Sequence, residues 1–137
     1  MLRCLAALGL VGLCLSCCGP ERVAVPPLPV AGEPVAYADL VTRLRIHAGA
    51  ANEAFFIDDF EALAARARDI EQGARLLPLA SDAPKGSQTR LSEDAGKLAA
   101  EARTLENSAK ARTEDQIRDA LRKIHIQIRT LPPVAMR

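Results

Sequence analysis

Cysteine is absent after residue 18: all four cysteines of the 137-residue chain, Cys4, Cys14, Cys17 and Cys18, lie near its start. Whatever folds beyond them has no disulfide, no thiolate nucleophile and no cysteine metal ligand. Tryptophan is also missing, and the aromatic side chains amount to Tyr37, Phe55, Phe56 and Phe60. A platform that stacks bases needs more rings than that. Charge of either sign is not concentrated anywhere. The formal net charge is +1, and acidic and basic residues are interspersed along the chain. The clustered Lys and Arg of a nucleic-acid grip are therefore lacking, and no nucleic-acid partner is expected. Catalytic motifs are equally scarce, with no Gly-x-Ser-x-Gly elbow, no phosphate-cradling glycine loop and no His-Glu-x-x-His helix. Ser81, Ser87, Ser92 and Ser108 have no histidine close in sequence. The chain is expected not to be an enzyme, with no catalytic residues to assign.

What is present begins with the leader MLRCLAALGLVGLCLSCCGP. Arg3 supplies a short positive start, and Leu5 to Leu15 form an apolar run of signal-peptide length, too short to span a bilayer comfortably. The ending resembles the lipobox of bacterial lipoproteins, in which a small residue precedes a cysteine that is lipidated and exposed by cleavage. Two registers compete. Ser16–Cys17 places the usual small residue before the cut but puts Cys14 where leucine is preferred. Leu15-Ser16-Cys17-Cys18 restores the leucine but puts Cys17 before the cut. Cys18 is preferred as the lipidated residue, with Cys17 as the alternative. The resemblance implies a signal peptide over residues 1–17, palmitate-type acyl chains at the new N-terminus, and a membrane face in the bacterial envelope as the destination. Each buried methylene would add ~0.8 kcal/mol to that attachment.

Residues 18–35 form a proline-rich segment with Pro20, Pro26, Pro27, Pro29 and Pro34. This spacing blocks helix and favours an extended, polyproline-like tether with a reach on the order of 50 Å at ~3.1 Å per residue.

Helical periodicity starts at residue 36 and runs to residue 131, followed by a short tail over 132–137. Tyr37, Leu40, Val41, Leu44, Ala48, Ala51 and Phe55 form one apolar stripe at three- and four-residue steps. Asp58 with Glu61 predicts a capping box at the next start, with Ile57 and Ala62 as its staple. The second stripe is Phe60, Leu63, Ala64, Ala67, Ile70, Ala74 and Leu77, stopped by Pro78. Residues 79–88, with Pro84 and Gly86, read as the longest loop. Leu91, Ala95, Leu98, Ala102 and Leu105 make the third stripe. Thr113 with Gln116 predicts another capping box, opening a fourth helix through Ile117, Leu121, Ile124, Ile128 and Leu131. Ile124, Ile126 and Ile128 also alternate with polar residues as a strand would. No second strand exists to pair with them, so helix is the better reading. The expected fold class is all-α, an antiparallel up-down four-helix bundle behind a signal peptide and a proline-rich linker.

The two histidines carry the sharper chemistry. His47 lies about nine residues before the end of the first helix, and His125 about twelve after the start of the fourth. Those two ends share one pole, so at ~1.5 Å per residue the heights differ by only about 5 Å. Two imidazoles facing each other across the core would suit a metal ion or a non-covalent haem. The plainer reading makes both of them partly buried packing residues, each bonded to a neighbouring carboxylate or carbonyl. A firm zinc site needs three or four ligands, and only carboxylates such as Glu53 or Asp58 are at hand to complete one. Asp58, Asp59 and Glu61, like Glu114 and Asp115, stand where a helix start favours negative charge.

Two stretches carry a further likeness: HAGAANEAFFIDDFEALAARARDIEQGARLL (His47–Leu77) and IRDALRKIHIQIRTL (Ile117–Leu131). With them the body resembles the cytochrome c′-like family of exported four-helix bundles. That family's last helix carries Cys-x-x-Cys-His, whereas here the comparable stretch runs Lys123-Ile124-His125-Ile126-Gln127-Ile128 without cysteine. The resemblance implies the bundle and an exported setting. It carries over no haem residue. The functional expectation is a membrane-anchored, non-catalytic lipoprotein in the periplasm that binds another envelope protein or serves a structural role. The alternative is a small metal- or haem-binding protein using His47 and His125.

Overall fold

In the computed structural model, residues 25–27, 35–84, 86 and 88–133 are described. The leader, including Cys17 and Cys18, lies outside the described residues, as do most of the tether and the last four residues. Four helices follow one another: α1 (Tyr37–Phe56), α2 (Phe60–Leu76), α3 (Gln88–Ala111) and α4 (Glu114–Thr130), with one 3₁₀ turn at Leu77–Leu79. There is no strand among the described residues. Each helix packs on its chain neighbours and α1 also meets α4, while the diagonal pairs make no close approach. This ring is the all-α up-down bundle that the periodicity predicts.

Burial follows the stripes. Leu40, Leu44, Leu63, Ile70, Leu98, Leu105, Ile117 and Ile124 are fully buried, and Ala48, Ala51, Ala67, Ala74 and Ala102 sit between them. Alanine brings the helix axes close but contributes little apolar area per residue, so each stripe depends on the others for its stability. Phe55 and Phe60 are only partly covered, where the stripes run out at one pole. In α4 the helix buries Ile124 and Ile128 and leaves Ile126 54% exposed, which resolves the competing strand pattern. A strand would have put all three on one face.

The α1–α2 connection departs from the predicted capping box by one residue. The Asp58 N–H donates to the Phe55 carbonyl and the Asp59 N–H to the Ala54 carbonyl. These two bonds close a left-handed helix stop with Asp58 at φ 57°. Asp58 therefore ends α1 instead of starting α2. Asp59 is the N-cap, its carboxylate accepting the Ala62 N–H at 3.0 Å, a bond worth about 1 kcal/mol. Glu61 then falls one position short of where a box would close. The α3–α4 connection repeats the device, with Arg112 at φ 53° and the Thr113 N–H donating to the Ser108 carbonyl. Thr113 and Gln116 do meet, but side chain to side chain, at 3.3 Å. At this pole (the turn pole) the chain reverses twice without a glycine.

At the opposite pole (the loop pole) the connection is longer. Pro78 ends α2 and sits in the 3₁₀ turn. Tyr37 gathers the ends there: its N–H donates to the Asp82 carboxylate at 2.5 Å, and its hydroxyl donates to the Pro132 carbonyl at 3.0 Å. The Ser81 N–H donates to the Val35 carbonyl at 3.3 Å.

Candidate functional site

His47 occupies a core position on α1, between the Leu44 and Ala48–Ala51 turns of the stripe, and is 1% exposed. Its Nδ1 lies 3.2 Å from the Asp69 carboxylate on α2, which Arg66 also engages at 3.0 Å. Neither imidazole nitrogen completes an aligned hydrogen bond with a side chain. On the far side the tether closes over the ring. The Pro26 carbonyl faces it, and the next carbonyl, that of Pro27, accepts a hydrogen bond from the Arg43 guanidinium. Val25 lines a shallow cleft between α1 and α2 together with Ala50, Ala54, Ile57, Ala62 and Arg66. Part of the proline-rich segment is thus docked on the bundle and not simply a spacer.

Burial pushes the His47 imidazole below its usual range; Asp69 pulls it back up without overturning that, and Arg66 and Arg43 add to the lowering. The sign of the consequence follows. The unfolded chain takes up the proton first as pH falls through about 6.5, so stability is complete above that value and declines below it. The decline ends once the lower, folded-state value has been passed. One proton gives a slope of at most about 1.4 kcal/mol per pH unit. Thermal unfolding followed between neutral pH and pH 5 is expected to show this slope, and His47→Gln to flatten it. Asp69→Asn removes the group that favours the charged ring, so its slope should persist to lower pH than in the wild type.

His125 is held differently. Its Nε2 is 2.8 Å from the side-chain amide nitrogen of Asn52 on α1. With that nitrogen donating, Nε2 accepts. His47 and Asn52 are five residues apart on α1, or roughly 140° around the helix at 3.6 residues per turn. The two imidazoles therefore serve different interfaces, His47 toward α2 and His125 toward α1 from the α4 side. Among the described residues no group of three or more His, Cys, Asp or Glu could hold a metal ion. Glu53 and Asp58, the carboxylates nearest in sequence to such a role, are both exposed.

Most of the remaining ionic contacts lie within single helices, and a few join neighbouring ones. Glu71 on α2 receives Arg103 of α3 at 2.5 Å and Arg75 of its own helix at 2.6 Å. Burial raises the Glu71 carboxyl, but the two guanidinium groups outweigh it and hold the group below its ordinary range. Glu114 and Asp115 are bridged by Arg118, at 3.2 and 3.8 Å. Glu114 and Asp115 act as helix-start and pairing groups, while Glu71 and Arg75 line a shallow surface pocket with Arg68, Gln72 and Leu76.

Asp69, Asn52, Arg43 and the Pro26–Pro27 carbonyls are the partners that sequence reading does not identify. Asp69 sits at a polar position of α2 with nothing to mark it, and backbone carbonyls carry no sequence signal at all. Comparison with family models, with curated proteins and with solved structures finds no match to this chain.

Proposed function

We propose that the chain is an exported lipoprotein, lipidated at Cys18 or, in the competing register, at Cys17. Its non-catalytic helical bundle stands in the periplasm, where it binds another envelope protein or serves a structural role. What carries this reading is one junction in the chain: an apolar leader ends in a cysteine pair and passes through a proline-rich segment into a bundle built without any cysteine. The engagement of both histidines inside the bundle supports a scaffold role for them over a ligand-holding one. No helix among the described residues is long and apolar enough to cross a membrane. Under this reading the acyl chains supply the attachment. The likeness to cytochrome c′-type bundles adds the scaffold and no haem chemistry.

Metabolic labelling tests it. The full chain, expressed in a Gram-negative host with an alkyne-bearing palmitate analogue, is expected to take up label and to partition with membranes. Cys18→Ser should abolish labelling in the preferred register, and Cys17→Ser in the other. A chain that is exported but unlabelled would overturn the lipoprotein reading.

A further inference from the structure

We propose that Val25–Pro27 is an acid-released latch, closed over the α1–α2 interface while the His47 imidazole is neutral and lifted off when the ring gains a proton. The inference goes beyond the lipoprotein reading and stands without it. Every contact it uses lies between these three residues and the bundle.

The way the segment is held is the first observation. Proline has no N–H, so Pro26 and Pro27 offer the bundle only their carbonyls. Two side chains about one helical turn apart on α1 meet them, Arg43 at Pro27 and His47 at Pro26. Val25, half-buried, adds an apolar side chain to the cleft that Ala50, Ala54, Ile57 and Ala62 also line. Two polar contacts and one valine are a small hold beside the four buried stripes. The segment can therefore leave while the bundle stays folded.

The surroundings of the ring are the second observation. His47 is fully buried, with the Asp69 carboxylate of α2 3.2 Å from Nδ1. That carboxylate is shared with Arg66 of the same helix, at 3.0 Å. Arg43 brings a second guanidinium from the ring's own helix, and the segment itself brings only carbonyls. A charged ring has two N–H groups and would serve Asp69 and Pro26 together, whereas a neutral ring has one. That gain favours closure in acid, but it is outweighed. With the segment in place, the imidazolium is cut off from water beside two guanidinium groups and one carboxylate already in use. Burial is accordingly the largest influence on the ring and holds it below its usual range. Lifting the segment returns water to the ring and frees Arg43 from Pro27, while Asp69 stays. The open form thus binds the proton more tightly than the closed form, and the proton favours the open form. The latch is closed at neutral pH and opens as pH falls below the ordinary imidazole value of about 6.5. Reciprocity adds a second consequence: whatever loosens the segment makes His47 easier to protonate.

The test is a pH titration of the full chain in detergent micelles by NMR, with methyl-labelled Val, Ile and Ala and ¹⁵N-labelled His. At neutral pH the Val25 methyls are expected to show nuclear Overhauser contacts to Ala54 and Ile57. These should fade with the same midpoint as the His47 ring nitrogens, while the amides of α3 and α4 keep their folded positions. His47→Gln, neutral at every pH, should hold the Val25 contacts down to pH 5. Val25→Ser leaves the ring and its charged neighbours in place, and should raise the His47 midpoint by a few tenths of a pH unit or more. It carries the test if His47→Gln does not fold. Val25 contacts that persist through the ring's titration, or strengthen below it, overturn the latch. So does a Val25→Ser chain whose His47 midpoint is unmoved. Loss of the contacts only together with the α3 and α4 amides is acid unfolding of the whole bundle, and overturns it as well.

Discussion

Tyr37→Ala is expected to destabilise the bundle by about 3–5 kcal/mol, the range for removing a large aromatic side chain from a packed core. For a domain of this size that lowers the thermal midpoint by more than ~10 °C, readable by circular dichroism. The size of the effect follows from where the ring sits. Tyr37 is 1% exposed at the first turn of α1, and its hydroxyl donates to the Pro132 carbonyl just beyond α4. The side chain therefore fills the loop pole and joins the first helix to the end of the last. Tyr37→Phe separates these two contributions. It keeps the ring and removes only the hydrogen bond, so about 1 kcal/mol should be lost. An alkaline signature distinguishes the two further. Burial raises the Tyr37 phenol above its ordinary value, with Asp94 adding to the rise. A raised folded-state value means the contribution is complete below about pH 10 and is lost as pH climbs from there. Tyr37→Phe should remove that alkaline decline. An unchanged midpoint in the alanine variant would show that the loop pole is not a packed part of the core.

The four stripes are legible in the sequence because one physical rule writes them: a helix with one covered face needs apolar residues every three or four positions. Leu44, Ile70, Leu98 and Ile124 are all fully buried where that rule puts them. The cap at Asp58–Asp59 is less legible. Two consecutive aspartates suit two different jobs, and only the backbone decides that the first takes the left-handed helix stop and the second the cap. The histidine pairing shows a different limit. Counting residues along α1 and α4 estimates the heights of His47 and His125 but says nothing of which way each helix is turned. The roughly 140° between His47 and Asn52 on α1 sends one imidazole toward α2 and leaves the other to α4. The docking of Val25–Pro27 leaves no trace in composition. It depends on proline carbonyls meeting Arg43 and His47, and a proline-rich spacer reads the same whether docked or free.

The last large effect concerns the fourth helix, where the residue pattern alone admits two structures. In the helix, Ile124 is fully buried and Ile126 is 54% exposed. Ile124→Asp would place a carboxylate among apolar side chains with no cation built to meet it. Burying a charge without a partner costs several kcal/mol, or forces the group to be protonated at nearly the same expense. Set against a total stability of about 5–15 kcal/mol for a domain, that is enough to leave much of the chain unfolded at neutral pH. The loss should shrink as the pH falls and the new carboxyl becomes neutral. Ile126→Ser, two residues away, should change stability by no more than about 0.5 kcal/mol, as for other exposed positions. Urea unfolding of the pair makes the comparison direct. A strand would give the two positions similar costs, since both would then lie on the same covered face. A large difference between them is the outcome that only the helix with Ile124 and Ile128 turned inward produces.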